Sequence, residues 1–192
     1  MDQNTSTARG NSNSNAHIRF ITTTALMTAV ICILAPLSIP IGPVPISLTN
    51  LAIYFTMYIL DTKRGTIAYL IYLLLGLAGL PIFSNFTGGP QKLFGPTGGY
   101  LIGFIPMALI TGLVVDRFYK KRILCIIVME ASTWICYLFG SAWLMVSMKI
   151  TFKAALMAGV IPFIIEDFIK MVLAGIFGPV LRDRLRRFTS LN

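Results

Sequence analysis

Residues 98–122 read GGYLIGFIPMALITGLVVDRFYKKR. Gly98 to Val115 carry no charged side chain, and Asp116 to Arg122 then hold one acidic and four basic ones. An uncharged apolar run of roughly 17–25 residues is long enough, as a helix, to cross the hydrocarbon core of a bilayer. Basic residues massed at one end are how such helices mark their cytoplasmic side. Working outward, the same grammar repeats. Asp61-Thr-Lys-Arg64 separates two apolar runs, and Arg182-Asp-Arg-Leu-Arg-Arg187 closes the last one. With Arg9 and Arg19, these segments hold twelve of the 16 basic residues.

Composition agrees with that pattern. The 192 residues are 56% hydrophobic and 12% charged, with a mean hydropathy of +0.78. A soluble domain carries about 25% charged residues. The net charge of +9 does not point to nucleic acid, because the basic residues punctuate apolar runs and form no continuous patch. The three cysteines, Cys32, Cys125 and Cys136, lie within apolar segments without CxxC spacing, and the one histidine, His17, stands apart from them. They read as buried small hydrophobes, with no metal or disulfide framework.

The fold expected is an all-α integral membrane protein with six transmembrane helices. The spans are placed at Ile18–Leu37, Leu48–Leu60, Gly65–Leu80, Gly98–Val115, Ile123–Val146 and Phe163–Leu181. Residues 1–17 are polar and rich in Asn, Ser and Thr, the composition of a disordered tail. The first apolar run has no A-x-A-type cleavage site and reads as a retained helix. The membrane domain is then 18–187, with a short tail at 188–192. Both termini fall on the cytoplasmic side of the cell membrane by the placement of Lys and Arg.

Spans two and three are short, so their neighbouring loops must reach into membrane depth. Irregular backbone is stable there only when buried in protein or lining a cavity. Two connections fit that role. Residues 37–47 read LSIPIGPVPIS and residues 81–99 read PIFSNFTGGPQKLFGPTGG. Both are rich in Pro and Gly yet apolar, as expected of a pocket rim or lid. Residues 147–162 are too short to span and read as a short outer helix ended by Pro162.

Ionisable residues inside a span cost roughly 2.5–3.5 kcal/mol on insertion scales, and are functional by default. Glu130, Glu166, Asp167 and Lys170 are such residues. Asp167 and Lys170 are i,i+3 neighbours on one helical face. The carboxylate accepts hydrogen bonds and the ammonium offers three donors, a set suited to a cyclic urea or a carboxylate. Glu130 reads equally as a structural partner of a basic loop residue. Glu166 reads as facing the interface or capping its helix. Enzymatic signatures are missing: no P-loop, no HExxH and no Ser/His/Asp set occurs.

The stretch GLAGLPIFSNFTGGPQKLFGPTGGYLIGF at residues 76–104 closely resembles the BioY family, the biotin-binding subunits of energy-coupling factor transporters. The G-x-x-G-L-P-I-F and G-P-T-G-G-Y-L-I-G-F patterns carry the resemblance. PVPISLTN (Pro43–Asn50) and the I-P-F-x-x-x-D-x-x-K pattern (Ile161–Lys170) extend it over nearly the whole chain after residue 20. The resemblance implies the six-helix bundle of such substrate-specific subunits, with biotin held near the outer face as cargo and no cofactor. It implies Asp167 and Lys170 as the polar ligand-binding pair, with Asn85, Lys92 and Tyr100 in the matching loop region. It also implies docking to a transmembrane coupling subunit through the A-x-x-x-A patch Ala25-Leu-Met-Thr-Ala29, and two cytoplasmic ATPases as energy source. A solitary biotin carrier without ATPases, and a binder of another vitamin, remain open at this level.

Overall fold

A computed structural model of the chain describes the backbone of residues 3–190 and the side chains of 17–187. Six long helices form the bundle: α1 (Gln3–Leu34), α2 (Thr49–Ile59), α3 (Thr62–Leu77), α5 (Gly98–Phe118), α6 (Arg122–Met148) and α8 (Ile164–Ser190). Each coincides with one of the six apolar runs. Two shorter helices lie between them, α4 (Pro90–Leu93) and α7 (Phe152–Gly159). The backbone of α1 starts well ahead of the Ile18 boundary set by composition. Of the two expected tails, 1–17 and 188–192, the side chains of 1–16 and 188–192 lie outside the described residues.

The all-α expectation needs one amendment. The Pro-rich 37–47 connection folds into a two-stranded antiparallel ladder, β1 (Ser38–Ile39) with β2 (Ile46–Ser47). Pro40, Pro43 and Pro45 leave few N–H groups for a longer ladder, since proline donates none. Two residues per strand are too few to show in a hydrophobic period.

Local chemistry sets the ends of the elements. Asp61 caps α3 by accepting from the Arg64 N–H at 2.8 Å. At the other end, Gly79 sits at φ +106°, while Leu80 N–H donates to Leu75 O and Gly79 N–H to Gly76 O. This is a Schellman ending, which glycine reaches without a Cβ penalty, and Pro81 prevents continuation. The turn at 84–86 then drops the fully buried Phe83 ring edge-on against Tyr72, at 5.5 Å between centroids. The 81–99 connection is thereby anchored in the bundle.

The most extensive helix packing joins α5 to α6. It depends on Gly99: a Cβ there would collide with the Trp143 side chain and lie 2.8 Å from the Phe139 carbonyl oxygen. The core is rich in tyrosine, with Tyr54, Tyr58, Tyr69 and Tyr72 fully buried. The outer surface is apolar instead, including Ile33, Leu74, Leu113, Ile127 and Ile165. A soluble fold does not present that much continuous apolar surface. Among the described residues, His17–Leu34, Gly98–Phe118 and Arg122–Met148 are long and apolar enough to cross a membrane by length and composition.

At the basic end, Asp116 ties three elements together. It accepts from the Thr62 N–H at 2.7 Å, the Thr62 hydroxyl at 2.6 Å and Arg182 at 2.8 Å. Helices α3, α5 and α8 are therefore tied together there.

Candidate ligand-binding site

Helix α2 begins just after β2, so Asn50 in its first turn faces the first turns of α8. Asn50 is buried, and so are Asp167 and Lys170. The Asn50 amide nitrogen donates to Asp167 Oδ1, and Lys170 Nζ donates to Asn50 Oδ1 at 3.0 Å. Tyr137, from α6, donates its hydroxyl to Asp167 Oδ2 at 2.6 Å. Lys170 also reaches Asp167 Oδ1 at 3.2 Å, the Ser47 carbonyl of β2 and Glu166 Oε2. One helix face and three other elements thus meet at a single polar knot.

The knot sits in a cavity of about 630 Å³, part of it open to solvent. Val44, Pro45, Leu101, Phe104 and Phe163 supply apolar wall, and Tyr100, Glu166, Asp167 and Lys170 also line it. Small-molecule sites typically combine apolar walls with a few convergent polar groups.

Counting hydrogen-bond capacity shows what the knot can still bind. Lys170 has three N–H donors and four acceptors within reach, so no donor is idle. A carboxylate has about four acceptor positions, and Asp167 uses three, for Asn50, Tyr137 and Lys170. Asn50 keeps one amide N–H, and Tyr137 keeps a hydroxyl lone pair. The knot therefore offers both an acceptor and a donor side by side. Its two carboxylates and one ammonium sum to a formal charge of −1.

The sequence-derived candidates divide. Asp167, Lys170 and Tyr100 line the cavity. The Tyr100 hydroxyl is spent on the Gly159 carbonyl at 3.0 Å, so its ring acts as wall and joins α5 to α7. Asn85 and Lys92 do not line it. Asn85 is exposed in a left-handed turn (φ +61°), its N–H donating to Ser38 Oγ at 2.7 Å. That contact pins the 84–86 turn to β1. Lys92 lies on α4, outside the cavity lining, and burial pushes its ammonium below the usual lysine range. Glu130 has no basic partner among the described residues; it accepts from Trp134 Nε1 at 2.9 Å, away from the cavity.

Asn50 and Tyr137 belong to the site without being among the sequence-derived candidates. Asn50 carries a signal, being a lone amide opening an apolar run. Tyr137 carries none, because a tyrosine in an apolar span reads as core. Ala25 and Ala29 are exposed on α1, beside a shallow apolar groove whose other wall is Ile67, Ile71 and Leu75 of α3.

A model of the BioY family matches residues 5–187. The chain belongs to the BioY family. It is 35% identical over 167 residues to biotin transporter BioY2 of Lactococcus lactis subsp. cremoris, covering 87% of this chain and 92% of that relative. It is 37% identical over 152 residues to biotin transporter BioY of Thermotoga maritima, covering 79% and 88%. Among solved structures, the S-component for biotin from an ECF-type ABC transporter superposes with a TM-score of 0.81 at 31% identity, covering 88% of this chain and 93% of that one. This BioY-family chain accordingly shares the S-component fold, and the polar knot sits within the part of the chain that the family model covers.

Proposed function

We propose that this chain is the biotin-specific S-component of an energy-coupling factor transporter, a transport protein and not an enzyme. The observation that carries the reading is the buried Asn50–Tyr137–Asp167–Lys170 knot in an apolar cavity, on a fold shared with a biotin S-component. The ureido ring of biotin presents N–H donors beside a carbonyl acceptor. Asp167 takes an N–H, while the spare Asn50 amide hydrogen donates to the carbonyl. The apolar walls take the thioether ring and the aliphatic chain.

Six helices, α1, α2, α3, α5, α6 and α8, are read as the transmembrane set in the cell membrane. Helix α2 has 11 residues, about 16 Å at 1.5 Å per residue, against a hydrocarbon core of about 30 Å. The β1–β2 ladder completes that depth, which is why a loop lines the cavity. Arg and Lys placement puts both termini in the cytoplasm and the cavity on the outside. A transmembrane coupling subunit, docked over Ala25 and Ala29, and two ATPases supply the energy. Small residues four apart permit close helix approach.

Titration calorimetry of the purified protein against a vitamin panel tests the ligand. Saturable biotin binding without ATP is expected. Binding of riboflavin or thiamine with no response to micromolar biotin would overturn the assignment. Uptake by this chain in a host lacking all energy-coupling subunits would instead favour a solitary carrier.

A further inference from the structure

A second concave site lies at the basic end, far from the ligand cavity. Its walls are α1 and α8, with the end of α2 between them. Helix α1 packs mainly on α3 and α2, and α8 mainly on α2 and α6, so the two diverge and leave a groove. Arg19, Arg64, Arg182 and Arg186 line it, with Asp61 the one acidic side chain, over an apolar floor of Leu26, Met27, Ile59, Leu60 and Leu185. The groove encloses about 1680 Å³, including space open to its surroundings.

Two of the four arginines are committed. Arg64 pairs with Asp61 at 2.7 Å and Arg182 with Asp116 at 2.8 Å. Arg19 and Arg186 make no ion pair among the described residues. Arg186 is held over the Tyr119 ring at 5.5 Å, and Tyr119 is itself fixed by donating to Asp183 at 3.1 Å. A pre-positioned guanidinium suits a phosphate geometrically. Leu26 is 63% exposed and Leu185 44% exposed, which suits contact with hydrocarbon. Arg19 also stands where the apolar run of α1 begins, at the level expected of lipid headgroups.

We propose that this groove is a binding site for an anionic phospholipid. Arg19 and Arg186 take the phosphate, and one acyl chain lies along Leu26, Met27 and Leu185. The site is independent of the biotin knot, sharing no residue with it.

The test uses the full chain, delipidated and then exposed to dioleoyl-phosphatidylglycerol or dioleoyl-phosphatidylcholine, with bound lipid counted by native mass spectrometry. One phosphatidylglycerol per chain is expected to survive, at least fivefold over phosphatidylcholine, and to be lost in R19Q/R186Q. The control R117Q/K121Q, at the same end but outside the groove, should retain it, and biotin affinity should be unchanged in both. Equal retention by wild type and R19Q/R186Q would overturn the site. So would equal loss in the control, which would mean diffuse charge attraction. Protection by glycerophosphoglycerol equal to that by the lipid would overturn the acyl contact. Lipid retention in R19Q/R186Q with loss of a co-purifying coupling subunit would assign the groove to a protein partner.

Discussion

At the residue scale, the knot predicts a graded mutational series. Asp167→Asn and Lys170→Ala each leave a buried partner unsatisfied, a cost of about 1–3 kcal/mol. Biotin affinity should fall by roughly five- to 150-fold on the scale of 1.4 kcal/mol per tenfold. Asn50→Ala should fall in the same range, because it leaves an Asp167 oxygen without its amide donor and removes the spare amide N–H. Calorimetry on monodisperse protein decides it, and wild-type affinity in all three would make the knot purely structural. Glu166→Gln is different. Lys170 has more acceptors than donors, and Glu166 competes for it while adding a second negative charge. Removing that charge should leave affinity equal or higher, so a tenfold loss would place Glu166 among the ligand contacts. Legibility at this scale followed cost. Asp167 and Lys170 announce themselves because charges are rare within apolar runs of this length and costly in any run that spans a bilayer. Tyr137 does not, since its ring is at home in an apolar helix and only its hydroxyl joins the knot. Asn85 and Lys92 look equally polar in the sequence, but the turn that holds Asn85 directs its bonding to Ser38 and β1.

At the element scale, two junctions are open to test. Gly99 lets α5 and α6 meet, and Gly99→Val should overpack the contact with Trp143 and Phe139. Overpacking typically costs about 1–3 kcal/mol, read as a lower unfolding temperature in detergent. An unchanged temperature would mean that α6 moves aside without cost. The cap of α3 gives a pH-dependent prediction. Partial burial pushes the Asp61 carboxyl up, but the Arg64 N–H and guanidinium outweigh it and hold it below the usual range. A depressed carboxylate contributes stability above its unfolded value of about 3.9, and loses that contribution as pH falls through the lower folded value. Asp61→Asn should therefore be less stable than wild type at neutral pH, and the gap should close below about pH 4. A gap that stays constant with pH would show that the cap acts through geometry alone. All six long helices are legible from apolar runs and basic punctuation. The β1–β2 ladder is not, because two-residue strands carry no periodicity.

At the scale of the whole molecule, the bundle has two ends with different tasks. One is tied shut by Asp116, Thr62 and Arg182; the other opens into the cavity between α2, α5, α6 and α8. Helix α1 joins neither the Asp116 tie nor the cavity. It contributes no residue to the ligand cavity, yet it exposes Ala25 and Ala29 one turn apart beside the apolar groove shared with α3. An exposed small-residue face on a helix remote from the cavity permits close approach of another helix. Thr24 and Thr28 turn inward instead, and the Thr28 hydroxyl lies 3.2 Å from the Ala68 carbonyl of α3. A bulky residue at 25 or 29 would thus point away from the bundle and leave it intact. Ala25→Trp and Ala29→Trp should keep wild-type biotin affinity and unfolding temperature, while co-purification with the coupling subunit and ATP-dependent uptake are lost. Lys170→Ala should show the opposite order, with ligand capture failing while assembly survives. If the Trp variants assemble and transport at wild-type rates, this face of α1 is a lipid surface, and the coupling subunit must meet another part of the bundle.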